Sequence, residues 1–317
     1  MDNGWRASIN NIMKIIKAFL FTTSLFYGLE IFAQDDLLNT LDKEVPKKKE
    51  IVYASFKGTR LINFQTVETM GKGSLDFRIS HRFGDFSTGA YNFYGLDGPA
   101  TLRLGFDYSV TDRFTVGVGR SSYQKMFDGF LKYRILRQTQ DNSMPISVTG
   151  IVSMYITAQT DPLKAITGYN QYEFFSSRMS YMYQLLIARK FSPRLTLQIA
   201  PTLIHFNLVT YANDKNDLFA MPISGRFKIS KRFSITGEYG LRISRYTADQ
   251  KLYFNSASIG VDIETGGHVF QLFVTNSSAI TEIQTIPYTT SNWAKGQVRI
   301  GFNISRVFSL SKKVKKK

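Results

Sequence analysis

The chain has 317 residues and no cysteine, which removes disulfide scaffolds, thiolate metal sites and cysteine nucleophiles together. Histidine is almost as scarce. His81, His205 and His268 are the only three, and none sits in a metal-ligand spacing such as His-Glu-x-x-His. After residue 34 no apolar run approaches the ~20 residues that a membrane-crossing helix needs, and no linker-like stretch divides the chain. Acidic residues are in deficit, with 24 Asp and Glu against 40 Lys and Arg for a net charge of +16. Lys47–Lys49 and the lysines of 312–317 supply eight of those positives from solvated runs. Most other basic residues alternate with apolar ones, which is not how a phosphate-binding stripe is built, so nucleic acid is not an expected partner. No cofactor, metal or enzymatic activity is expected.

Apolar residues are plentiful: hydrophobic residues make up 43%, with 26 Phe and 17 Tyr. That much apolar surface without a long apolar run has to be buried by alternating strands. In 101–110, Leu102, Leu104, Phe106, Tyr108 and Val110 share one parity, and Thr101, Arg103, Gly105, Asp107 and Ser109 share the other. Successive strand side chains point to opposite faces, so the segment has one apolar and one polar face. Twelve such segments are predicted: 74–83, 101–110, 114–122, 127–137, 145–157, 178–191, 195–207, 218–230, 233–245, 252–264, 268–276 and 297–308. In the fifth to eighth both faces carry apolar residues.

A soluble sandwich would alternate too. Three features point to a membrane barrel. The segments match the ~9–11 residues of a tilted membrane strand. Tight turns, such as Thr111-Asp112-Arg113 and Lys231-Arg232, alternate with connections that run to about twenty residues. Aromatic residues gather at strand ends, as in the interfacial girdles of such barrels. The expected fold is an all-β transmembrane antiparallel up-and-down barrel of twelve strands with both termini periplasmic. An even strand count puts the termini on one side.

Residues 13–33 read as an export signal, with Lys14 and Lys17 before an apolar stretch and Ala33 at a cleavage position. Met13 is the expected start and 1–12 an extension, so 1–33 is removed. Residues 34–73 form a periplasmic segment or small plug; within them 51–69 either enters the lumen or lies beneath the barrel as a strap. The barrel occupies 74–310 and a basic tail 311–317.

The polar parity collects Asp76, Arg78, Arg82, Arg103, Asp107, Lys132, Arg134, Arg226, Lys228, Glu238, Arg242, Asp262, Glu264 and Arg299 in the lumen. Two readings stay open. Nine basic against five acidic residues suit a passage favouring small anions, whereas Arg–Asp/Glu ladders could fill the lumen with no pore. Glycines on this parity, among them Gly105, Gly117 and Gly119, mark bends or close approach. His205, with Asn207 and Ser176 or Ser177 nearby in sequence pattern, is a rim residue rather than a catalytic one. Tyr91, Tyr94, Tyr169, Tyr172 and Trp293 fall in the long connections as candidate extracellular contacts. Expected partners are outer-membrane lipid, the barrel-assembly machinery during biogenesis, and a periplasmic or surface protein of unspecified identity.

Ser-Phe-Lys-Gly-Thr-Arg-Leu-Ile-Asn (55–63), Gln-Thr-Val-Glu-Thr (65–69), Gly71-Lys-Gly73 and Leu-Asp-Phe-Arg-Ile-Ser-His-Arg-Phe-Gly (75–84) carry a resemblance. Phe93–Asp97, Asp112-Arg113, Gly-Val-Gly-Arg-Ser (117–121) and Asp128–Tyr133 extend it. With them the chain resembles an uncharacterised family of outer-membrane β-barrels from the Bacteroidota. The resemblance is dense over 52–135 and diffuse beyond. It implies fold and location and assigns no activity or site. The function expected is a pore or transport-type passage with a basic lumen; the alternative is a structural or partner-binding barrel that uses its outer loops without transport.

Overall fold

Alternating sequences fold here into alternating exposure. In β2 (Thr101–Ser109), Leu102, Leu104, Phe106 and Tyr108 are exposed on the outside while Arg103, Asp107 and Ser109 are buried within. A computed structural model describes residues 50–161, 164–209, 214–244 and 252–310. The expected export signal, residues 34–49 and the basic tail fall outside the described residues.

The remaining strands are β1 (Ser74–Arg82), β3 (Phe114–Ser121), β4 (Met126–Leu136), β5 (Ser147–Thr157) and β6 (Met179–Lys190). Strand β7 runs in two pieces, Leu195–Ile199 and Thr202–Phe206. They are followed by β8 (Asp217–Lys228), β9 (Phe233–Arg242), β10 (Ser256–Thr265), β11 (His268–Thr275) and β12 (Arg299–Ser309). Each strand pairs antiparallel with its sequence neighbour, and β1 pairs with β12 from Ser74↔Ser309 to Arg82↔Gly301. The result is a closed twelve-strand up-and-down barrel. Closure leaves no row of unpaired backbone groups, the condition for a sheet to persist in lipid.

The interruption in β7 is chemical rather than topological. Gln184↔Thr202 and Ile187↔Ile199 belong to one register against β6, on either side of Pro201. Proline lacks the N–H that would complete the ladder there, and Thr202 Oγ1 donates to the Ala200 carbonyl beside it at 2.7 Å.

Connections are mostly short at one end and long at the other. One end of the barrel carries the short turns 110–113, 191–194, 229–232 and 266–267, together with the longer 137–146; the other carries 83–100, 158–178, 207–216, 243–255 and 276–298, together with the short 122–125. All twelve predicted strands are present with small shifts at their ends. The tenth begins at Ser256 rather than 252 because its leading residues bond elsewhere: Phe254 N donates to the Thr289 carbonyl at 2.7 Å, and Arg242 Nη2 to the Tyr253 carbonyl at 2.9 Å.

The outside is a continuous apolar band, with pairs such as Phe77 and Phe106 stacked at 4.9 Å between ring centroids. Phe106→Arg should therefore cost ~2–4 kcal/mol of folding stability in vesicles, the usual penalty for a cation on the lipid face at mid-depth. Phe86→Arg, in the β1–β2 connection, should stay within ~0.5 kcal/mol. Reversible denaturant titration of the two variants checks this, and equal penalties would contradict the assignment of the outer face.

Candidate functional site

Inside the barrel the chain meets itself. Val52 N donates to the Gln138 carbonyl (2.8 Å) beside the β4–β5 turn; past the hairpin, Thr69 Oγ1 donates to the Asp112 carbonyl (2.7 Å) beside the β2–β3 turn. Between these anchors, at the short-turn end, residues 55–67 rise into the lumen and return as a hairpin. Thr66 N donates to the Thr59 carbonyl and Leu61 N to the Phe64 carbonyl, each at 2.9 Å, and Arg60 bridges Gln65. Of the two placements open for 51–69, the lumen is the one observed.

A two-stranded hairpin cannot satisfy its own outward N–H and C=O groups, and leaving them bare in an enclosed lumen costs several kcal/mol. The wall supplies the partners. At the hairpin tip three successive amides, Ile62, Asn63 and Phe64, donate to the Glu238 carboxylate of β9 at 2.8, 2.8 and 2.9 Å. The tip carbonyl of Ile62 accepts from Arg82 of β1 (3.4 Å) and Asn303 of β12 (2.9 Å). Lys132 of β4 donates to the Thr59 carbonyl at 3.1 Å and to Gln65 Oε1 at 3.2 Å. Arg78 of β1 donates to the Arg60 carbonyl (3.3 Å), and Thr59 Oγ1 donates to Asp107 of β2 (3.0 Å). Gln198 of β7 both accepts from Val67 N (2.9 Å) and donates to the Gln65 carbonyl (2.8 Å). At the base, Glu68 takes Ser55 N at 2.8 Å and Arg134 of β4 at 2.9 Å.

A second segment enters from the long-loop end. In the connection between β11 and β12, a single helical turn, α1 (Glu282–Thr285), is wholly buried. Glu282 Oε1 accepts the amide of Gln65 at 2.8 Å, and Oε2 lies 3.6 Å from Arg60. Burial pushes the Glu282 carboxyl above the ordinary carboxylate range, and the Arg60 charge beside it opposes that rise. Around this contact Ile283 and Ile286 pack with Phe64 and with inward residues of the wall: Met182, Ile204 and Leu218. Nearer the short turns Phe56, Leu61 and Val67 pack with Phe130, Ile151 and Leu186. Two segments thus enter the lumen from opposite ends and touch inside it.

The expected lumen residues fall on the inner face. Asp76, Arg78, Arg82, Arg103, Asp107, Lys132, Arg134, Arg226, Glu238, Arg242 and Asp262 are buried there; Lys228, Glu264 and Arg299 are half-buried toward its ends. They divide by task. Arg78, Arg82, Asp107, Lys132, Arg134 and Glu238 hold the hairpin, whereas Arg103 with Asp128 forms a wall-to-wall ion pair whose Nε–Oδ1 distance is 2.9 Å. Gly105 and Gly119 leave room for the Arg103 guanidinium, into which a Cβ at either position would project. Arg242 donates to the Pro287 carbonyl of the entering loop at 2.8 Å, Arg226 faces Glu264 at 3.3 Å, and Arg299 faces Asp85 at 3.7 Å.

His205 pairs with Asp217 across β7 and β8 at 2.7 Å, on the outward parity, while Asn207 bonds the Ser176 carbonyl instead. His81 is held outside the barrel between Phe83 and Phe302, and His268 opens β11 beside the turn 266–267. Of the loop aromatics Tyr91 is 95% exposed and Tyr169 66%. Tyr94 packs on Phe86, Tyr172 lies beneath Arg178, and Trp293 donates to the Ala257 carbonyl. Sequence reading missed Glu282, Gln198, Asn303 and the inward apolar residues as parts of one site.

A family model described as "membrane bound beta barrel domain (DUF5777)" matches residues 56–308. The chain belongs to this family of membrane-bound β-barrels, and the match begins inside the luminal hairpin. No curated protein matches the chain. Among solved structures it is similar to the KdgM porin (11% identity, 74% of this chain and 99% of that one, TM-score 0.44). It is also similar to an outer membrane channel from Pseudomonas putida F1 (13% identity, 76% and 98%, TM-score 0.44). A third is LpxR from Salmonella typhimurium (10% identity, 74% and 99%, TM-score 0.34).

Because the chain lacks cysteine, Ile62→Cys places a single thiol in the hairpin tip. Maleimide labelling of that thiol should be slow in the folded protein. Adding Glu238→Ala orphans three amides, roughly 3 kcal/mol or more of lost charge-assisted bonding, and should speed labelling about a hundredfold. Equal rates in the two backgrounds would show that Glu238 does not hold the hairpin.

Proposed function

We propose that this barrel is an outer-membrane passage held shut, opened when the hairpin of residues 55–67 leaves the lumen. The observation that carries this reading is the chemistry of the seal. The hairpin backbone is held largely by charged and amide side chains, Glu238 above all, and water can replace each such bond at a net cost of about 1–3 kcal/mol, less than the cost of a group left bare. Its apolar contacts, those of Phe56, Leu61, Phe64 and Val67, lie on one side only. Withdrawal of the hairpin would hand Arg78, Arg82, Lys132 and Arg134 to the lumen together with Asp107 and Glu238, a lining in which cations outnumber carboxylates and which suits small anions.

The same proposal puts both termini in the periplasm, export under the signal at 13–33, and the source in the Bacteroidota. It places outer-membrane lipid around the barrel and the assembly machinery at its insertion. The contact between Glu282 and the hairpin supports regulation from the long-loop side, because any ligand that drew 276–298 outward would remove the bond to Gln65.

Planar-bilayer recording tests the passage. The native protein should be almost silent, and Glu238→Ala combined with Glu282→Ala should open frequent channels whose reversal potential in a KCl gradient favours Cl⁻. Silence in the double variant, with hairpin release verified by Ile62→Cys labelling, would leave a closed structural barrel; cation preference would remove the basic lining as its determinant.

A second reading, surface contact through the long connections, is favoured by the exposure of Tyr91, Ile166 and Tyr169. Photo-crosslinkers at Tyr91 and Tyr169 in intact cells should capture one reproducible partner, and scattered or absent adducts would count against it.

A further inference from the structure

A barrel wall is ordinarily convex toward lipid, yet this one carries a hollow of about 670 Å³ on its outer face. It crosses the middle of β4 to β8, with Gly150 and Pro201 at its floor and Tyr133, Tyr183 and Phe219 on its walls. Two local features make it. Gly150 lies on the outward parity of β5 with no side chain to fill the space, and Pro201 opposite Leu185 contributes only a short ring. Leu185 N donates to the Pro201 carbonyl at 3.0 Å, and proline has no N–H to return. Among the described residues no charged side chain lines the hollow.

We infer that this hollow seats one acyl chain of a membrane lipid as a site distinct from the bulk lipid around the barrel. Its lining belongs to the same outward band as Leu131, Val152 and Leu203, so hydrocarbon is the medium it faces. Water is excluded by the lining, and an empty apolar hollow forfeits its packing contacts. A second copy of the chain fits less well. A two-fold contact centred here would set the hollow against itself and enclose a double void, contrary to the close packing of protein interfaces. With no cation among the described lining residues, the site reads the chain of the lipid and not its headgroup.

Native mass spectrometry of the full-length protein, extracted from vesicles of phosphatidylethanolamine and phosphatidylglycerol, tests the site. The native protein should keep one phospholipid per chain, drawn from the two headgroups in proportion to the vesicle. Gly150→Leu fills the floor without strain, since a Cβ there meets only Ile135 Cδ1 at 3.7 Å. It should lower the lipid-bound fraction on the order of tenfold. Gly129→Leu is the control: it is also outward, with its Cβ 3.8 Å from the Gly117 carbonyl, but lies outside the hollow, and it should retain the lipid. Heat-modifiable gel mobility establishes that each variant is folded, and Val152→Trp is the second filling variant if Gly150→Leu is not. Equal retention in filled and control proteins, no adduct on the native chain, or a lipid-free dimer would each overturn the assignment.

Discussion

The occupied lumen depends on one constraint: a backbone hairpin enclosed by a barrel must have its polar groups met by the barrel. Glu238 meets that constraint at the tip, where its two oxygens take the amides of Ile62, Asn63 and Phe64. A neutral acceptor could not receive three donors as well, because charge-assisted bonds are roughly twice as strong as neutral ones. The turn geometry and the wall residue define each other. The hairpin points three N–H groups one way only because an anion is fixed there, and the buried anion is tolerated only because three donors surround it.

From that point the rest of the interior follows as a division of labour around the barrel. The strands nearest the chain termini, β1, β2 and β12, hold the hairpin with polar side chains: Arg78, Arg82, Asp107 and Asn303. The strands on the opposite side, β5 to β8, press mainly apolar side chains against it, with Thr149 and Gln198 bonding its backbone at Val67 and Gln65. The segment bearing Glu282 then joins the two halves of the interior, bonding the hairpin at Gln65 and packing Ile283 and Ile286 on the apolar side. The polar side satisfies the hairpin backbone and the apolar side gives it a defined seat.

The wall was legible in the sequence because a period-two pattern survives whatever the lumen contains. Leu102, Leu104, Phe106 and Tyr108 face outward for a reason that needs only their parity. The charged inner residues were legible for the same reason, although their task was not: Arg78 or Lys132 on an inner face reads alike whether it meets water, an anion or a backbone carbonyl. The plug was legible only as one of two placements for 51–69, because 55–67 forms only a bridge and a turn, with no run of alternation to decide between them. Its signal lay elsewhere. Ile151, Met182, Leu186, Ile204 and Leu218 blurred the alternation in the fifth to eighth segments, and that blur is the imprint of the hairpin and the entering loop on the wall. Ile280, Ile283 and Ile286, three residues apart in what read as an outer loop, were the matching sign of a segment folded inward.

The most direct measurement is amide hydrogen exchange at the hairpin tip in the folded, lipid-embedded protein. The account predicts that the N–H groups of Ile62, Asn63 and Phe64 exchange as slowly as those of the β9 strand that bears Glu238. Exchange as fast as that of Ser87 in the exposed β1–β2 connection would mean that the tip is solvated and that Glu238 does not clamp it.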